Sequence, residues 1–284
     1  MSRYPIFDTH AHLQDPDFDE DREQLLEFLK AEGVARVVLP ASDLADSEKA
    51  LNLALAHPGL FCEIGVHPHE ASSWVDGPGG SADALRQLFR RGCEESTALG
   101  RPNVIVGLGE IGLDYHYDFS PRDVQKKVYR QQLELAAELG LPVIIHEREA
   151  FADSLAILQD AERDGLLTLP GSCHCFSGSL EGSRLLLELS FYLGFDGPIT
   201  FKKARKALDV LAEIPAERYL LETDSPYLTP EPFRGRRNDP SKIRQIAEKA
   251  AEIRGQSVEE ILRQNWENAC RFYRLSVDTN VERL

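Results

Sequence analysis

Two imidazoles stand two residues apart near the amino terminus, within Asp8-Thr9-His10-Ala11-His12. The apolar residues just before them predict a buried strand, and alternate residues of a strand share one face. His10 and His12 would therefore point the same way, about 7 Å apart along the strand. Neutral imidazole is the commonest metal ligand, and the Asp8 carboxylate on the same face could orient a ring. The pair predicts either a metal site or polar residues at a strand end, and further ligands must decide between them.

Further candidate ligands follow other strand-like runs. Seven of the eight histidines lie at or just past the end of such a run, and only His57 does not. Two carboxylates, Glu110 and Asp224, occupy the same kind of position. Imidazole together with carboxylate suits hydrolytic Zn, Mn, Fe or Mg centres rather than soft thiolate sites. The predicted ligands come from five runs: His10, His12, Glu110, His146, His174 and Asp224.

Six ligands are more than one tetrahedral ion with an open position requires. Two divalent ions about 3.5–4 Å apart, bridged by Glu110, fit the number better. Such a pair lowers the pKa of a shared water from 15.7 towards roughly 7 and holds the attacking and leaving oxygens. Asp224 would orient that water and take its proton. Even with Asp8 counted as a third negative charge, two divalent ions leave the site net positive, which favours an anionic substrate.

Eight strand-like runs alternate with helix-period segments, and no linker-like break separates them. This order predicts one (β/α)8 TIM-type barrel over residues 1–284, with an open doubly wound sheet as the alternative. A barrel places functional residues at the carboxyl ends of its strands, where the histidines and carboxylates fall in the sequence. The predicted strands cover residues 4–12, 35–40, 60–67, 104–110, 142–146, 171–175, 191–201 and 219–224.

Helix signals support the alternation. Ser120 is predicted to cap a helix that ends at Gly140, and Ser257 opens a capping box ahead of the last helix. Trp266 in that last helix is interpreted as a core residue. The Gly- and Pro-rich residues 74–81 predict an exposed loop.

Two other motifs are rejected as functional signals. In Cys173-His174-Cys175 the two thiols face away from His174 on a strand, so they are expected to pack outward rather than bind metal. Residues 107–112 match GxGxxG, but a dinucleotide fingerprint requires a helix to open there. An acidic segment follows instead.

Bulk composition limits the choice of partners. The chain has 32 Lys and Arg against 47 Asp and Glu, for a formal net charge of −15. That balance argues against broad electrostatic binding of nucleic acid but permits a local contact at a metal centre. The five scattered Cys residues favour a reducing compartment. Without an apolar leader or an 18-residue apolar run, we expect a cytoplasmic protein with no membrane segment, and a monomer is favoured.

Seven motifs in order now carry a resemblance to the TatD-type metal-dependent deoxyribonucleases, a family of amidohydrolase-like barrels. The resemblance implies a phosphodiesterase that acts on DNA with two divalent ions, Mg²⁺, Mn²⁺ or Zn²⁺. The metal positions of the family fall on the six ligands predicted above. The motifs span nearly the whole chain: DTHAHL from Asp8, GVHP from Gly65, GEIGLDY from Gly109, HEREA from His146, HCFSG from His174, ITFK from Ile199 and ETDSPYL from Glu222.

The resemblance also assigns roles beyond the ligands. It implies that His67 contacts a substrate phosphate and that Arg148 does the same. From spacing alone, a surface ion pair of Arg148 with Glu147 or Glu149 is an equal alternative. Ala11 stands where the family often has Cys, without loss of a ligand.

Three functional hypotheses follow from these residues. The first is a deoxyribonuclease, in particular a 3′-5′ exonuclease on single-stranded ends, with Tyr115, Phe176 and Tyr227 as candidates for base stacking. Ordinary packing is the alternative for those rings. The second is a metal-dependent hydrolase of a small ester, amide or phosphoester on the same barrel. The third is a metal-dependent binding protein without catalysis.

Overall fold

Eight parallel strands run around the molecule in chain order in the computed structural model, which describes residues 4–278. The last strand returns to the first: the Thr9 N–H donates to the Leu221 carbonyl at 3.3 Å, and an isolated parallel bridge joins Ala11 to Ser225. The sheet therefore closes into the predicted (β/α)8 barrel, and the open doubly wound alternative is wrong.

Most strands are shorter than the sequence predicts. Where a predicted strand continues past the ladder, its last residues leave the sheet and form the loops at the barrel mouth. Strand β4 is the main exception, because it continues through the whole GEIGLD segment. The strands are β1 Ile6–Asp8, β2 Val34–Leu39, β3 Leu60–Ile64, β4 Ile105–Asp114, β5 Val143–Arg148, β6 Ser172–Cys173, β7 Tyr192–Phe195 and β8 Tyr219–Leu221.

Helices follow the strands, and only one of the two predicted N-terminal caps forms. Ser257 does accept a hydrogen bond from the Glu260 N–H at 3.2 Å. The Ser120 prediction is wrong, because its hydroxyl accepts from Ser72 N–H and no side chain caps that helix. In the described part of the chain no helix is both long and apolar enough to cross a membrane. The helices are α1 Arg22–Ala31, α2 Leu44–Ala56, α3 Ser81–Ala98, α4 Arg122–Leu139, α5 Phe151–Arg163, α6 Leu180–Glu188, α7 Arg205–Glu213, α8 Ile243–Arg254 and α9 Val258–Phe272.

Helix α9 packs against apolar side chains of the strands and completes the core. Phe7 contacts Trp266, with ring centroids 5.8 Å apart, and Trp266 is buried as predicted. Tyr273, just after α9, reaches Glu63 of β3 with a hydrogen bond of 2.7 Å. The carboxyl group of Glu63 is thus buried inside the barrel.

The glycines of the GxGxxG match serve close packing of β4. A Cβ on Gly109 would lie 2.7 Å from the Ile144 Cβ of the neighbouring strand. Gly112 has φ +141°, and a Cβ there would meet the His146 carbonyl. Both positions lie inside a strand rather than at the start of a helix, which agrees with the rejection of a dinucleotide site.

Candidate metal centre

Glu110 of β4 is buried, and its two carboxylate oxygens face two different groups of histidines. Its Oε2 lies 3.4 Å from His10 Nε2 and 4.0 Å from His12 Nε2. Its Oε1 lies 2.7 Å from His146 Nδ1 and 3.5 Å from His67 Nε2. One carboxylate between two groups of ring nitrogens has the arrangement that bridges a pair of cations in two-metal sites.

Asp224 joins the first of these groups. Its Oδ1 lies 3.4 Å from His12 Nε2 and 3.8 Å from His10 Nε2. Burial acts to raise the pKa of Asp224, but the His12 hydrogen bond and the nearby imidazoles outweigh it and lower the pKa. Asp224 also has φ +57°, a left-handed conformation that non-glycine residues adopt mainly where the surroundings enforce it. The carboxylate is therefore held in place and ionised.

His174 lies between the two groups. Its Nε2 is 3.9 Å from Glu110 Oε1 and 3.9 Å from Asp224 Oδ1. Its other nitrogen, Nδ1, is 2.8 Å from Glu222 Oε1, which turns Nε2 towards the centre. Sequence reasoning missed Glu222, although it precedes Asp224 by two residues and alternate residues of a strand share a face.

His10 provides the test of whether this site fits a metal. Its side chain has no exposed surface, and neither ring nitrogen has a hydrogen-bond partner among the described residues. Burial, and then the His174 imidazole, lower the pKa of His10, so the ring is neutral. A buried polar atom without a partner costs about 1–3 kcal/mol. A divalent cation at the centre would give Nε2 of His10 a partner. The surrounding nitrogens and carboxylates are ligands that Zn, Mn or Fe accepts.

Asp114, also on β4, orients the other side of the centre. Its Oδ2 lies 3.0 Å from His146 Nε2 and 2.9 Å from His69 Nε2. Burial acts to raise the pKa of Asp114, but hydrogen bonds from His146, the Tyr117 N–H and His69 lower it far below its usual range. Sequence reasoning gave Asp114 no role. Its signal was its spacing, because residues 110 and 114 of one strand share a face.

A family profile described as TatD related DNase matches residues 7–274. The chain belongs to the TatD family. Among its relatives is the uncharacterized metal-dependent hydrolase YabD of Bacillus subtilis, 41% identical over 271 residues, which cover 95% of this chain and all of that protein. Another is the 3'-5' ssDNA/RNA exonuclease TatD of Cronobacter sakazakii, 36% identical over 257 residues, 88% of this chain and 91% of that one.

Solved TatD structures have the same barrel. The crystal structure of YjjV, a TatD homologue from Escherichia coli K12, matches with a TM-score of 0.84 and 30% identity, covering 95% of this chain and 98% of that one. A TatD-family hydrolase from Entamoeba histolytica matches with a TM-score of 0.81 and 25% identity, covering 96% and 99%. The chain is therefore a metal-dependent hydrolase of the TatD family.

One expectation for this TatD-family site is wrong. Asp8 was expected to orient a histidine ring, but its carboxylate accepts from the backbone N–H and the hydroxyl of Thr223, at 3.0 and 2.5 Å. It also accepts from the His10 backbone N–H at 3.2 Å. Burial raises the pKa of Asp8 well above its ordinary value, so it is a poor third negative charge for the centre. Asp8 instead ties β1 to the chain after β8.

The two residues assigned to substrate lie at the mouth. His67 is close to Glu110, as described above, and forms a potential metal-binding group with Glu110 and His146. Arg148 is exposed, and among residues 4–278 no carboxylate lies within ion-pair distance of its guanidinium. Glu149 pairs with His116 instead, so the surface ion pair considered for Arg148 does not form.

The cysteines beside His174 behave differently from one another. Cys173 is buried in the large apolar cluster, as predicted. Cys175 was expected to pack outward too, but it follows the end of β6 with φ +46° and lines the mouth. The strand ends at Cys173, so face alternation no longer applies to Cys175. None of the potential metal-binding groups found in the described residues includes a cysteine.

The centre opens into a cleft of about 870 Å³. Of the three rings considered for base stacking, Tyr227 lines this cleft and is 52% exposed. Phe176 is buried, and the half-buried Tyr115 ring has the Arg122 guanidinium 4.2 Å from its centre, so both serve packing.

Sequence reasoning missed a second aromatic group at the cleft. The Arg148 guanidinium lies 4.8 Å from the ring centre of Tyr117, and the Phe119 ring stacks on Tyr117 at 5.2 Å. Phe119 is 68% exposed. Its signal was an aromatic pair directly after the ligand-bearing strand β4.

Proposed function

We propose that this TatD-family hydrolase is a divalent-metal-dependent deoxyribonuclease that removes nucleotides from the 3′ end of single-stranded DNA. The position of Glu110, with one oxygen towards each histidine group, carries the proposal. Two cations on either side of one carboxylate are the usual means of cleaving a phosphodiester by in-line displacement. The Cronobacter relative, named as an ssDNA/RNA exonuclease, supports the choice of substrate.

The proposed ligands form two groups that share Glu110. Two divalent ions, Mg²⁺, Mn²⁺ or Zn²⁺, would supply positive charge that polarises the phosphodiester and makes water more acidic. Glu222 and Asp114 hold the rings of His174 and His146 in orientation. The first group is His10, His12, Asp224 and Glu110 Oε2, and the second is Glu110 Oε1, His146 and His174, with His67 beside it.

The protein's own side chains provide the rest of the chemistry. Asp224, held ionised, accepts the proton of the attacking water. Arg148, which has no carboxylate partner among residues 4–278, binds a phosphate of the substrate through two parallel hydrogen bonds. His67 contacts a neighbouring phosphate of the substrate. Glu110 holds the two ligand groups together, and we assign it a catalytic role with Asp224.

The charge of the cleft also supports a second candidate function, hydrolysis of a small molecule. Outside the proposed ligands, its lining carries only two cations, Lys49 and Arg148. Such a lining suits a small, weakly charged ester, amide or phosphoester, and the cleft volume of about 870 Å³ lies in the range typical of small-molecule sites. The same lining carries six carboxylates outside the proposed ligands: Asp15, Asp43, Asp46, Glu70, Asp114 and Glu147.

We further infer that the protein acts in the cytoplasm, as a monomer, with residues 1–284 as one functional unit. All five cysteines are free thiols, which supports a reducing compartment.

The deciding experiment is hydrolysis of a 5′-labelled single-stranded oligonucleotide by purified protein in EDTA, Mg²⁺, Mn²⁺ or Zn²⁺. Asp224→Asn is the test variant, because Asn tolerates a positive φ and keeps the shape of the side chain. Glu27→Gln, an exposed acid on α1, is the matched control. We expect a ladder of products shortened from the 3′ end that needs metal, persists in the control and disappears in Asp224→Asn. No cleavage with any metal, together with turnover of small esters, would establish the second candidate instead.

A further inference from the structure

Charge is distributed unevenly around the barrel mouth. The six carboxylates of the cleft outside the proposed ligands lie in segments that follow β1, β2 and β3, or near the ends of β4 and β5. The segment 197–208, after β7, instead contains four cations and no Asp or Glu. An acidic protein with a net charge of −15 thus presents a basic sector on one side of its mouth.

A second loop brings further cations to this sector. The Arg234 guanidinium, after β8, lies 4.1 Å from the ring centre of Phe201, after β7. The Glu231 N–H also donates to the Thr200 hydroxyl at 2.9 Å, so the two loops are in contact. We call the exposed cations of these loops the rim cation cluster: Lys202, Lys203, Arg205, Lys206, Arg234 and Arg236.

Members of the rim cation cluster have no ion-pair partner within residues 4–278, unlike many other cations of the surface. Arg86 and Arg263, for example, each bind two carboxylates. Helix α7 begins at Arg205 with no acidic residue in its first turn, although the positive end of a helix dipole favours acids there. Protein stability therefore does not account for this placement, which favours an anionic ligand.

The two loops that carry the rim cation cluster begin at the cleft of the proposed metal centre. Pro198 and Leu228 line the cleft, and the Gly197 backbone packs against the Leu228 carbonyl. Lys202 is four residues beyond Pro198, hence at most about 14 Å away along the chain. A strand that leaves the cleft on this side would pass over the cluster, whereas the carboxylates on the other side would repel its phosphates.

We propose that the rim cation cluster binds the phosphates of a single-stranded polynucleotide whose 3′ end lies at the metal centre. This inference rests on the proposed nuclease function and adds where the rest of the strand lies. The exposed ring of Tyr227, whose hydroxyl donates to Asp15 at 3.0 Å, stands at the cleft between the two sides and offers a face for a base. An anionic membrane is a poorer match, because residues 197–208 expose no large apolar side chain that could enter lipid.

The first test is binding without catalysis. Fluorescence anisotropy in EDTA would compare labelled oligothymidylates of 2, 4, 8 and 16 nucleotides. The variant Lys202→Gln/Lys203→Gln is paired with Lys30→Gln/Arg90→Gln, which removes the same charge from exposed positions on α1 and α3 that have no ion-pair partner in the described part of the chain. For the 16-mer we expect the salt slope to be shallower by about 1.4 in the cluster variant, at about 0.7 per phosphate contact. Wild-type protein would then lose roughly sevenfold more affinity than this variant between 50 and 200 mM salt.

The second test is catalytic and separates the two proposals. With metal, the ratio of kcat/KM for the 16-mer to kcat/KM for a dinucleotide should fall in the cluster variant, hold in the control and recover in Lys202→Arg/Lys203→Arg. Cleavage by wild type with the same ratio and salt slope in all variants would overturn the rim proposal alone. Absence of cleavage of any phosphodiester would overturn the nuclease proposal. The binding test would still show whether the rim cation cluster binds single-stranded DNA. If the cluster variant instead lost binding to anionic lipid vesicles while its binding of oligonucleotides stayed unchanged, the cluster would be a membrane-binding site. That result would also overturn the rim proposal.

Discussion

Glu222 Oε1 lies 2.8 Å from His174 Nδ1, and the other nitrogen of that ring faces Glu110 and Asp224 at 3.9 Å from each. Glu222 also accepts the Cys175 N–H at 2.7 Å, which fixes the carboxylate itself. A proton on Nδ1 leaves a lone pair on Nε2. A carboxylate at this distance favours the tautomer of His174 that presents Nε2 to the centre.

Glu222→Gln should weaken the binding of metal at the group that contains His174. The amide keeps the size of the side chain but lacks the negative charge that holds the imidazole. Loss of such an orienting partner typically costs 10–100-fold in metal affinity. Calorimetric titration with Mn²⁺ or Zn²⁺ would measure it, and an affinity equal to that of wild type would show that Glu222 plays no orienting role.

Glu110→Gln should lower the number of bound ions from two towards one. A neutral amide cannot present one anionic oxygen to each group. Glu147→Gln is the matched control, because Glu147 also lines the cleft and accepts a hydrogen bond from the Ala150 N–H, which an amide oxygen can still do. Metal analysis after dialysis gives the stoichiometry. Two ions retained in Glu110→Gln would contradict the bridging role.

Phe119→Ala should raise KM for single-stranded DNA. The Phe119 ring stacks on Tyr117 and lies 4.8 Å from the His69 ring, and its 68% exposed surface leaves room for a base. Stacking of a base on an aromatic side chain contributes about 1–3 kcal/mol, so a rise of roughly tenfold is expected. Phe28→Ala, which removes an exposed ring on α1, is the control. Equal KM values for the two variants would remove Phe119 from the substrate path.

Glu63 inside the barrel should make stability depend on pH. The Tyr273 hydroxyl lies 2.7 Å from Glu63 Oε1 and 3.1 Å from the Thr9 carbonyl, yet it has one hydrogen to donate. A protonated Glu63 can donate to Tyr273 while Tyr273 donates to Thr9, which gives each of the two contacts its own hydrogen. Burial raises the pKa of Glu63 to about 8, so the folded protein keeps this proton at neutral pH.

The direction of the effect follows from proton binding. The folded state holds a proton that the unfolded chain releases near its ordinary pKa of about 4.3, so this stabilisation is complete below that pH and is lost as pH rises through about 8. Glu63→Gln cannot lose a proton. Between pH 5.5 and 7.5 the free energy of unfolding of wild type should fall by up to about 2.7 kcal/mol relative to this variant. Urea unfolding in EDTA at both pH values checks this, and parallel pH profiles would show that Glu63 is ionised.

Local patterns in the sequence carried the fold and the location of the candidate centre. Strand-like runs that alternate with helical periods predict a barrel, and a barrel collects the carboxyl ends of its strands at one mouth. Face alternation also placed His10 and His12 side by side, and the structure brings all six predicted ligands together. Their roles as ligands stay predictions.

Only the tertiary structure decided how these residues are held. Asp8 bonds to Thr223, Glu222 contacts His174, and the rim cation cluster joins loops after β7 and β8. Each of these relations links segments from different parts of the chain. Spacing along a strand is a local property, so it can be read directly from the sequence. Which carboxylate reaches which imidazole, and which loops meet, depend on barrel closure and on loop backbones such as the left-handed Cys175 and Asp224.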